Sequence, residues 1–175
     1  GKPLGGCRPI ALMPMLYRVW TKIRRPHIID WEATWGGPWD AALRGSSALR
    51  AGVKSLLQDE VAHLNGEDNI TILYDMEKFY DNIDIPTLIQ RALALGFHPR
   101  MMFLTLMMHC APRVISAYGH YGKCITPHNG IVAGCSYGNT FARILLHATL
   151  QATSYLTLVR QRQFVDDIRQ TATAE

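Results

Sequence analysis

The chain has 175 residues, of which 48% are hydrophobic and 18% charged, and 18 Lys and Arg against 14 Asp and Glu give a formal net charge of +4. The hydrophobic fraction is too high and the net charge too low for a disordered chain, and no apolar run reaches the roughly 18 to 20 residues of a membrane span. We therefore expect one soluble globular domain that does not enter a membrane.

The N-terminal segment predicts one extended stretch and one helix. Residues 2–13 alternate weakly and suggest an extended segment or a hairpin. Apolar residues at helical spacing then predict a helix that breaks at Pro26. The Trp-, Gly- and Pro-containing residues 31–45 predict a loop.

A second helix and a strand follow this loop. Ser46 or Ser47 is available as the N-cap, apolar residues follow at helical spacing, and Asn65-Gly66 marks the end of the helix. The short apolar run over residues 70–74 predicts a central strand that ends at Asp75.

Two prolines mark the starts of the next helices. Pro86 opens a helix that ends at Gly96, and Pro99 opens another that runs through Cys110. The methionines of the second helix are expected to fill the core. They are Met101, Met102, Met107 and Met108.

The remaining elements complete a mixed fold. Residues 113–118 predict a strand and residues 139–156 a helix. Residues 162–165 and 168–171 predict two strands joined by a tight turn at Asp166-Asp167. Helices and strands do not alternate strictly, so we expect an α+β domain whose sheet is covered by helices on one face.

Charges are segregated along the chain. Residues 1–29 hold six Lys or Arg and no acid, residues 59–84 hold eight of the fourteen acids, and residues 85–163 hold seven Lys or Arg and no carboxylate. Such a long acid-free stretch predicts a surface that attracts phosphate backbones. A solvated basic face explains the same pattern equally well.

Four widely spaced cysteines form no CxxC pair, which argues against a zinc ribbon or a disulfide-dense secreted scaffold. We expect a reduced, intracellular setting, with nucleus and cytoplasm both open. The chain starts without a signal-peptide pattern and without Met, so we expect it to be part of a longer protein.

Carboxylates stand at two predicted strand ends. Asp75 ends one strand, and Asp166 and Asp167 form a hairpin turn. An Asp pair in a turn is often ordinary turn chemistry. However, carboxylates that face each other repel unless they share a cation. If the two strands are neighbours, Asp75 and Asp166 predict a site for Mg²⁺.

Four segments, in order, resemble motifs of reverse transcriptases. Residues 73–84 (LYDMEKFYDNID) resemble the first palm motif, and residues 130–136 (GIVAGCS) resemble the motif beside the template and the incoming nucleotide. Residues 164–168 (FVDDI) are similar to the aromatic-x-Asp-Asp hairpin. Residues 8–12 with 17–22 are similar to the finger region of the non-LTR retrotransposon and group II intron branch.

The resemblance implies a polymerase palm, an antiparallel sheet backed by helices, with part of the fingers. Residues 1–70 correspond to partial fingers and residues 71–175 to a palm that stops before the later palm motifs and the thumb. The implied activity is that of the RNA-directed DNA polymerase of a retroelement. The implied partners are an RNA template, a DNA primer and deoxynucleoside triphosphates.

The resemblance also implies a metal site. Asp75 and Asp166 would hold two Mg²⁺ ions, with Mn²⁺ as a possible substitute, while Asp167 assists and the Met76 carbonyl is an added ligand. In such two-metal sites one ion activates the primer 3′-hydroxyl and the other stabilises the pyrophosphate leaving group.

Four further residues match nucleotide-binding positions of the family. Arg8 and Lys2 match finger residues that grip the triphosphate, although Lys2 is equally compatible with a solvated side chain. Tyr80 matches an aromatic ring that excludes a ribose 2′-hydroxyl and so selects deoxynucleotides. Gly134 matches a glycine that allows close backbone approach. Val165, where RNA-templated RNA polymerases tend to carry Gly, also favours DNA synthesis.

Four residues depart from the family pattern. Ala133 stands where Gln is usual, Gly138-Asn139 where Ser-Pro is usual, and Phe79 where a small residue is usual. They suggest a divergent branch or a copy with weakened activity. Ala133, together with the missing later palm motifs and thumb, keeps a second hypothesis open, in which the chain is a polymerase-derived nucleic-acid-binding or splicing-cofactor (maturase-like) module without catalysis. The intact Asp75, Asp166 and Asp167 favour the enzyme, because a binding module does not need paired acids in a basic surface.

Overall fold

The structure is a computed structural model that describes residues 11–173. These residues form five helices and five strands, which confirms the α+β class. In chain order the elements are α1 (Met15–Trp35), α2 (Ala48–Leu64), β1 (Asn69–Tyr74), α3 (Ile85–Ala94), α4 (Pro99–His109), β2 (Arg113–Ala117), β3 (His120–Ile125), α5 (Gly138–Ser154), β4 (Val159–Phe164) and β5 (Asp167–Thr173). Most of the extended segment predicted over residues 2–13 lies outside the described residues.

The described chain divides into two compact units. The first contains residues 11–25 and 78–141, and the second contains residues 26–77 and 142–173. Among residues 11–173, no helix is both long enough and apolar enough to cross a membrane.

The second unit is built on a three-stranded antiparallel sheet with the order β1-β5-β4. We expected β1 to be central, and this prediction was wrong. The short turn between β4 and β5 makes these strands neighbours, so β1 pairs with the other edge of β5. β1 is therefore an edge strand within the described chain, and most of its side chains are exposed.

Helices contact both faces of this sheet, whereas we expected them on one. Ile168 of β5 is buried in a core cluster with Leu150 of α5 and with Trp39 from the segment between α1 and α2. The next residue, Arg169, points to the opposite face because side chains alternate along a strand. There it forms an ion pair with Asp59 of α2.

Helix α1 continues through Pro26 instead of breaking there. Proline has no N–H and so removes a helical hydrogen bond, but its cost can be offset by packing. Side chains on both sides of the proline are buried, Tyr17 before it and Ile28 after it. The predicted loop over residues 31–45 consequently starts only after Trp35.

Helix α2 ends where its capping residues predicted. The Ser47 hydroxyl accepts a hydrogen bond from the Arg50 N–H at 3.4 Å, and Asn65 is the C-cap. The apolar stripe that predicted the helix is nevertheless exposed, and only Ser55 and Ala62 of the helix are buried. The exposed members of the stripe are Leu49, Val53, Leu56, Leu57, Val61 and Leu64.

Helices α3 and α4 in the first unit also match their predictions. The Asp84 carboxylate caps α3 by accepting from the Thr87 N–H at 2.9 Å. Hydrogen bonds with the Thr87 side chain and with this N–H lower the pKa of Asp84. Met101 and Met102 of α4 are buried as expected, whereas Met107 is exposed.

The strand predicted over residues 113–118 is confirmed as β2, and β3 pairs with it to form a hairpin. Tyr118 and Gly119 connect the two strands, both with positive φ. The side chains of β3 are exposed throughout, so no buried alternation signalled this strand in the sequence.

Candidate active site

Three carboxylates lie at one edge of the β1-β5-β4 sheet. Tyr74, the last residue of β1, pairs with Ile168 of β5, so Asp75 follows at the edge where β5 begins. Asp167 is the first residue of β5, and Asp166 lies in the turn that precedes it. The strands that carry these acids are neighbours, as the cation hypothesis required.

The surroundings of these acids leave their charges uncompensated. Asp75 and Asp167 are exposed and Asp166 is half-buried. Within residues 11–173, none of the three side chains forms a hydrogen bond or an ion pair. Neighbouring carboxylates repel each other unless a cation is shared. This set of oxygen donors therefore suits a divalent cation.

The described residues contain no group of three acidic, histidine or cysteine side chains that already surrounds a metal position. Mg²⁺ does not require such a cage, because it commonly takes one or two protein carboxylates and completes its shell with water and substrate phosphates. The donor chemistry at the sheet edge fits that mode of binding.

The turn that presents Asp166 has a strained backbone. Phe164 pairs with Asp167, so the turn consists of Val165 and Asp166, one residue earlier than predicted. Val165 has a φ of 62°, a region that β-branched residues rarely adopt. Such strain persists only where the surrounding structure fixes it.

Hydrogen bonds of the buried Gln163 hold this turn in place. Its side-chain amide donates to the Val165 carbonyl at 2.7 Å. Its own backbone N–H donates to the Trp39 carbonyl, and its carbonyl accepts from the Ala41 N–H, both at 2.8 Å. No sequence pattern pointed to Gln163, because only its tertiary contact with residues 39–41 identifies its role.

Met76 follows Asp75 and is half-buried, and it packs against the core cluster that contains Ile168. This contact anchors the chain directly after β1. The role of its carbonyl as a ligand stays a prediction.

In the first unit, the segment that carries Tyr80 lies against the glycine-rich turn. The Ile131 N–H donates to the Tyr80 carbonyl and the Gly130 N–H donates to the Ile83 carbonyl, both at 2.8 Å. A Cβ on Gly130 would lie 2.7 Å from the Asp81 carbonyl oxygen, and its φ is 82°. Only glycine fits this position, since both the space and the conformation exclude a side chain.

The Tyr80 ring is held in place by its neighbours. Its hydroxyl donates to the Asn139 Oδ1 at 3.2 Å, and the Phe79 ring packs edge-on with centroids 5.4 Å apart. A Cβ on Gly138 would lie 3.6 Å from the Tyr80 ring. Phe79 and Asn139, which depart from the family pattern, thus both contact Tyr80, and Gly138 lies beside its ring.

Of the three other predicted nucleotide-binding residues, the structure describes one. Gly134 has a φ of 97°, and a Cβ there would be 3.6 Å from the Ala11 carbonyl, so backbone conformation rather than space calls for glycine. Lys2 and Arg8 lie outside the described residues.

The model of the reverse transcriptase (RNA-dependent DNA polymerase) family matches residues 1–174. The chain belongs to this family. Its members generally use divalent metals, in keeping with the carboxylates at the sheet edge. The match does not distinguish branches, so the non-LTR and group II intron assignment stays a prediction.

Two solved telomerase structures share the fold of this reverse transcriptase chain. One is telomerase from Candida albicans in complex with a fragment of telomeric RNA, with a TM-score of 0.58 and 15% identity over 86% of this chain. The other is apo telomerase from Candida tropicalis truncated from the C-terminal domain, with a TM-score of 0.57 and 13% identity over 87% of this chain.

The matches cover 29% and 33% of those telomerase chains, so this chain spans about a third of their length. At such low identity the likeness concerns the fold alone. No curated protein sequence matches the chain.

A buried histidine supports the glycine-rich turn of this reverse transcriptase domain. The Val132 N–H donates to the His109 Nδ1 at 2.9 Å. Burial, together with the nearby Arg113, lowers the pKa of His109 to about 4. The imidazole is therefore neutral at pH 7 and accepts at Nδ1, a role that no sequence pattern revealed.

Proposed function

We propose that this reverse transcriptase domain is the catalytic core of the RNA-directed DNA polymerase of a retroelement from the non-LTR or group II intron branch. It would transfer deoxynucleotides onto a primer 3′-hydroxyl. The observation that carries the proposal is the β1-β5 register, because it brings Asp75, Asp166 and Asp167 to one sheet edge, where none of them forms an ion pair with a described side chain.

Asp75 and Asp166 are the proposed ligands of two Mg²⁺ ions, which Mn²⁺ can replace, with Asp167 and the Met76 carbonyl assisting. When bound, the ions would supply activation of the 3′-hydroxyl and stabilisation of the pyrophosphate leaving group. The strained turn at Val165 fixes the position of Asp166 before any ligand arrives, which lowers the cost of assembling the site.

Tyr80 is the proposed selector of deoxynucleotides. The contacts of its hydroxyl with Asn139 and of its carbonyl with Ile131 restrict the ring, so it cannot easily move aside for a 2′-hydroxyl. Gly134, Lys2 and Arg8 are proposed to contact the incoming nucleotide, as the family resemblance implies.

The proposed partners are an RNA template, a DNA primer and deoxynucleoside triphosphates. Residues 1–70 are proposed as partial fingers and residues 71–175 as palm.

Primer extension by the full-length protein on an RNA template, with deoxynucleotides and Mg²⁺, tests this proposal. Asp166→Asn replaces a charged carboxylate, the proposed metal ligand, by a neutral amide, so we expect it to abolish extension. Asp68→Asn is the matched control, because Asp68 is an exposed acid that lies outside the sheet edge. The control should extend like the unchanged protein.

Equal extension by Asp166→Asn and the unchanged protein would overturn the proposal. If the unchanged protein binds the RNA template but does not extend the primer, the binding or splicing-cofactor hypothesis is supported instead.

A further inference from the structure

A cavity of about 260 Å³ lies in the second unit, between α2 and the face of the sheet that carries Arg169. It is separate from the edge that carries the three aspartates, and it extends along the strands toward Val159. Its charged and polar lining includes Ser55, Gln58, Asp59, Arg160, Arg162 and Arg169, and we call it the arginine cavity.

Three of these side chains place positive charges on adjacent strand positions. Arg162 of β4 pairs directly with Arg169 of β5, and Arg160 precedes Arg162 by two residues on the same face. Like charges directly opposite each other destabilise a sheet unless another group compensates them.

The protein supplies only part of that compensation. Asp59 pairs with Arg169, whereas Arg162 donates to two neutral acceptors, the Ala51 carbonyl at 3.1 Å and the Gln58 Oε1 at 3.2 Å. Arg160 is exposed and makes no side-chain hydrogen bond with any residue in the range 11–173. The lining therefore holds three arginines against one carboxylate.

The electrostatics of Arg162 agree with an excess of positive charge. Partial burial, followed by the neighbouring Arg169 and Arg160, lowers the pKa of Arg162 below its ordinary value. An anion in the cavity would relieve this repulsion. Guanidinium groups suit phosphate oxygens in particular, since their forked N–H donors match two oxygens at once.

We infer that the arginine cavity is a binding site for a phosphate group, with Arg160 and Arg162 as its donors. The phosphate can belong to a small molecule, such as inorganic phosphate or a nucleotide, or to a nucleic acid. This site goes beyond the proposed polymerase function and does not depend on it.

Calorimetric titration of the 175-residue chain with inorganic phosphate and with pyrophosphate, at constant ionic strength in chloride, tests the site. Arg160→Gln removes a donor whose side chain has no hydrogen bond to the part of the chain that the structure describes. We expect it to weaken binding about tenfold, as for the loss of one charge-assisted contact. Arg160→Lys should restore part of the affinity, because it restores the charge without the forked geometry.

Arg50→Gln is the matched control, since Arg50 is an exposed arginine of α2 outside the cavity and its change alters the net charge equally. The titration contains no divalent cation, so the aspartate site of the proposed polymerase does not contribute to the signal. The inference is overturned if phosphate produces no binding signal, or if Arg160→Gln and Arg50→Gln weaken binding equally.

Competition with short RNA identifies the source of the phosphate. An RNA that displaces pyrophosphate only when it carries a 5′-phosphate supports recognition of a strand end, and displacement by RNA with or without that phosphate supports backbone recognition. If neither RNA displaces pyrophosphate, the site is assigned to a small phosphate compound.

Discussion

Replacing Gly130 with alanine tests the contact that joins the Tyr80 segment to the glycine-rich turn. The new Cβ would lie 2.7 Å from the Asp81 carbonyl oxygen, so the backbone of one segment must shift. The shift would weaken the hydrogen bonds from Gly130 to Ile83 and from Ile131 to Tyr80.

The expected loss in the free energy of unfolding has two parts, which a control variant can separate. Alanine at positive φ costs about 1 to 2 kcal/mol, reduced by about 0.5 kcal/mol through the less flexible unfolded chain. Overpacking adds about 1 to 3 kcal/mol. Gly130→Ala should therefore lower the free energy of unfolding by about 3 kcal/mol. At Gly96, with a φ of 65°, a new Cβ would meet no described residue within 4 Å apart from its chain neighbours, so Gly96→Ala should lose only about 1 kcal/mol.

Urea unfolding of both variants and the unchanged chain measures these losses, provided that the slopes agree. Hydrogen exchange at the Ile131 amide measures the local stability of this contact, since the protection of the amide depends on its hydrogen bond to the Tyr80 carbonyl. Equal losses for Gly130→Ala and Gly96→Ala, with unchanged protection at Ile131, would refute the close approach as the reason for glycine at position 130.

Two further predictions concern single side chains. Tyr80→Ala should raise ribonucleotide incorporation in primer extension, while Tyr80→Phe, which keeps the ring, should not; unchanged discrimination in Tyr80→Ala would remove its selective role. Because the pKa of His109 is lowered to about 4 in the folded chain from 6.5, the unfolded chain binds the proton first as the pH falls. Stability should therefore drop by about 2 kcal/mol between pH 7 and pH 5, and His109→Gln should flatten this drop in urea unfolding; an unflattened drop would contradict the assignment.

Local signals in the sequence predicted local structure well. The caps of α2 and the prolines that open α3 and α4 act within a few residues, so their effect can be seen without knowing the fold. The passage of α1 through Pro26 could not be predicted in this way. It depends on the burial of Tyr17 and Ile28, and burial is a property of the folded chain.

The exposed stripe on α2 shows the limit of periodicity. Apolar residues at helical spacing correctly predicted a helix, but they do not tell which partner covers its apolar side. Similarly, a run of apolar residues predicted β1 without telling that β5 would take the central position.

The same distinction between local signals and contacts of distant segments applies to the candidate site. Acids at strand ends and the ordered motifs pointed to Asp75, Asp166 and Asp167, since strand ends are local features. Gln163 and Asn139 were missed, because each acts through a contact with a segment distant in sequence.

The segregation of charges along the sequence is not preserved in the folded chain. Arg143 belongs to the long acid-free stretch, yet it is buried and pairs with Glu32 at 2.9 Å and with Asp40, both from outside that stretch. It cannot contribute to a basic surface. By contrast, Arg162 meets Arg169, which lies beyond the acid-free stretch. Strand pairing thus brings together the arginines of the arginine cavity. The distribution of charges along the sequence did not show where these arginines would meet or how many they would be.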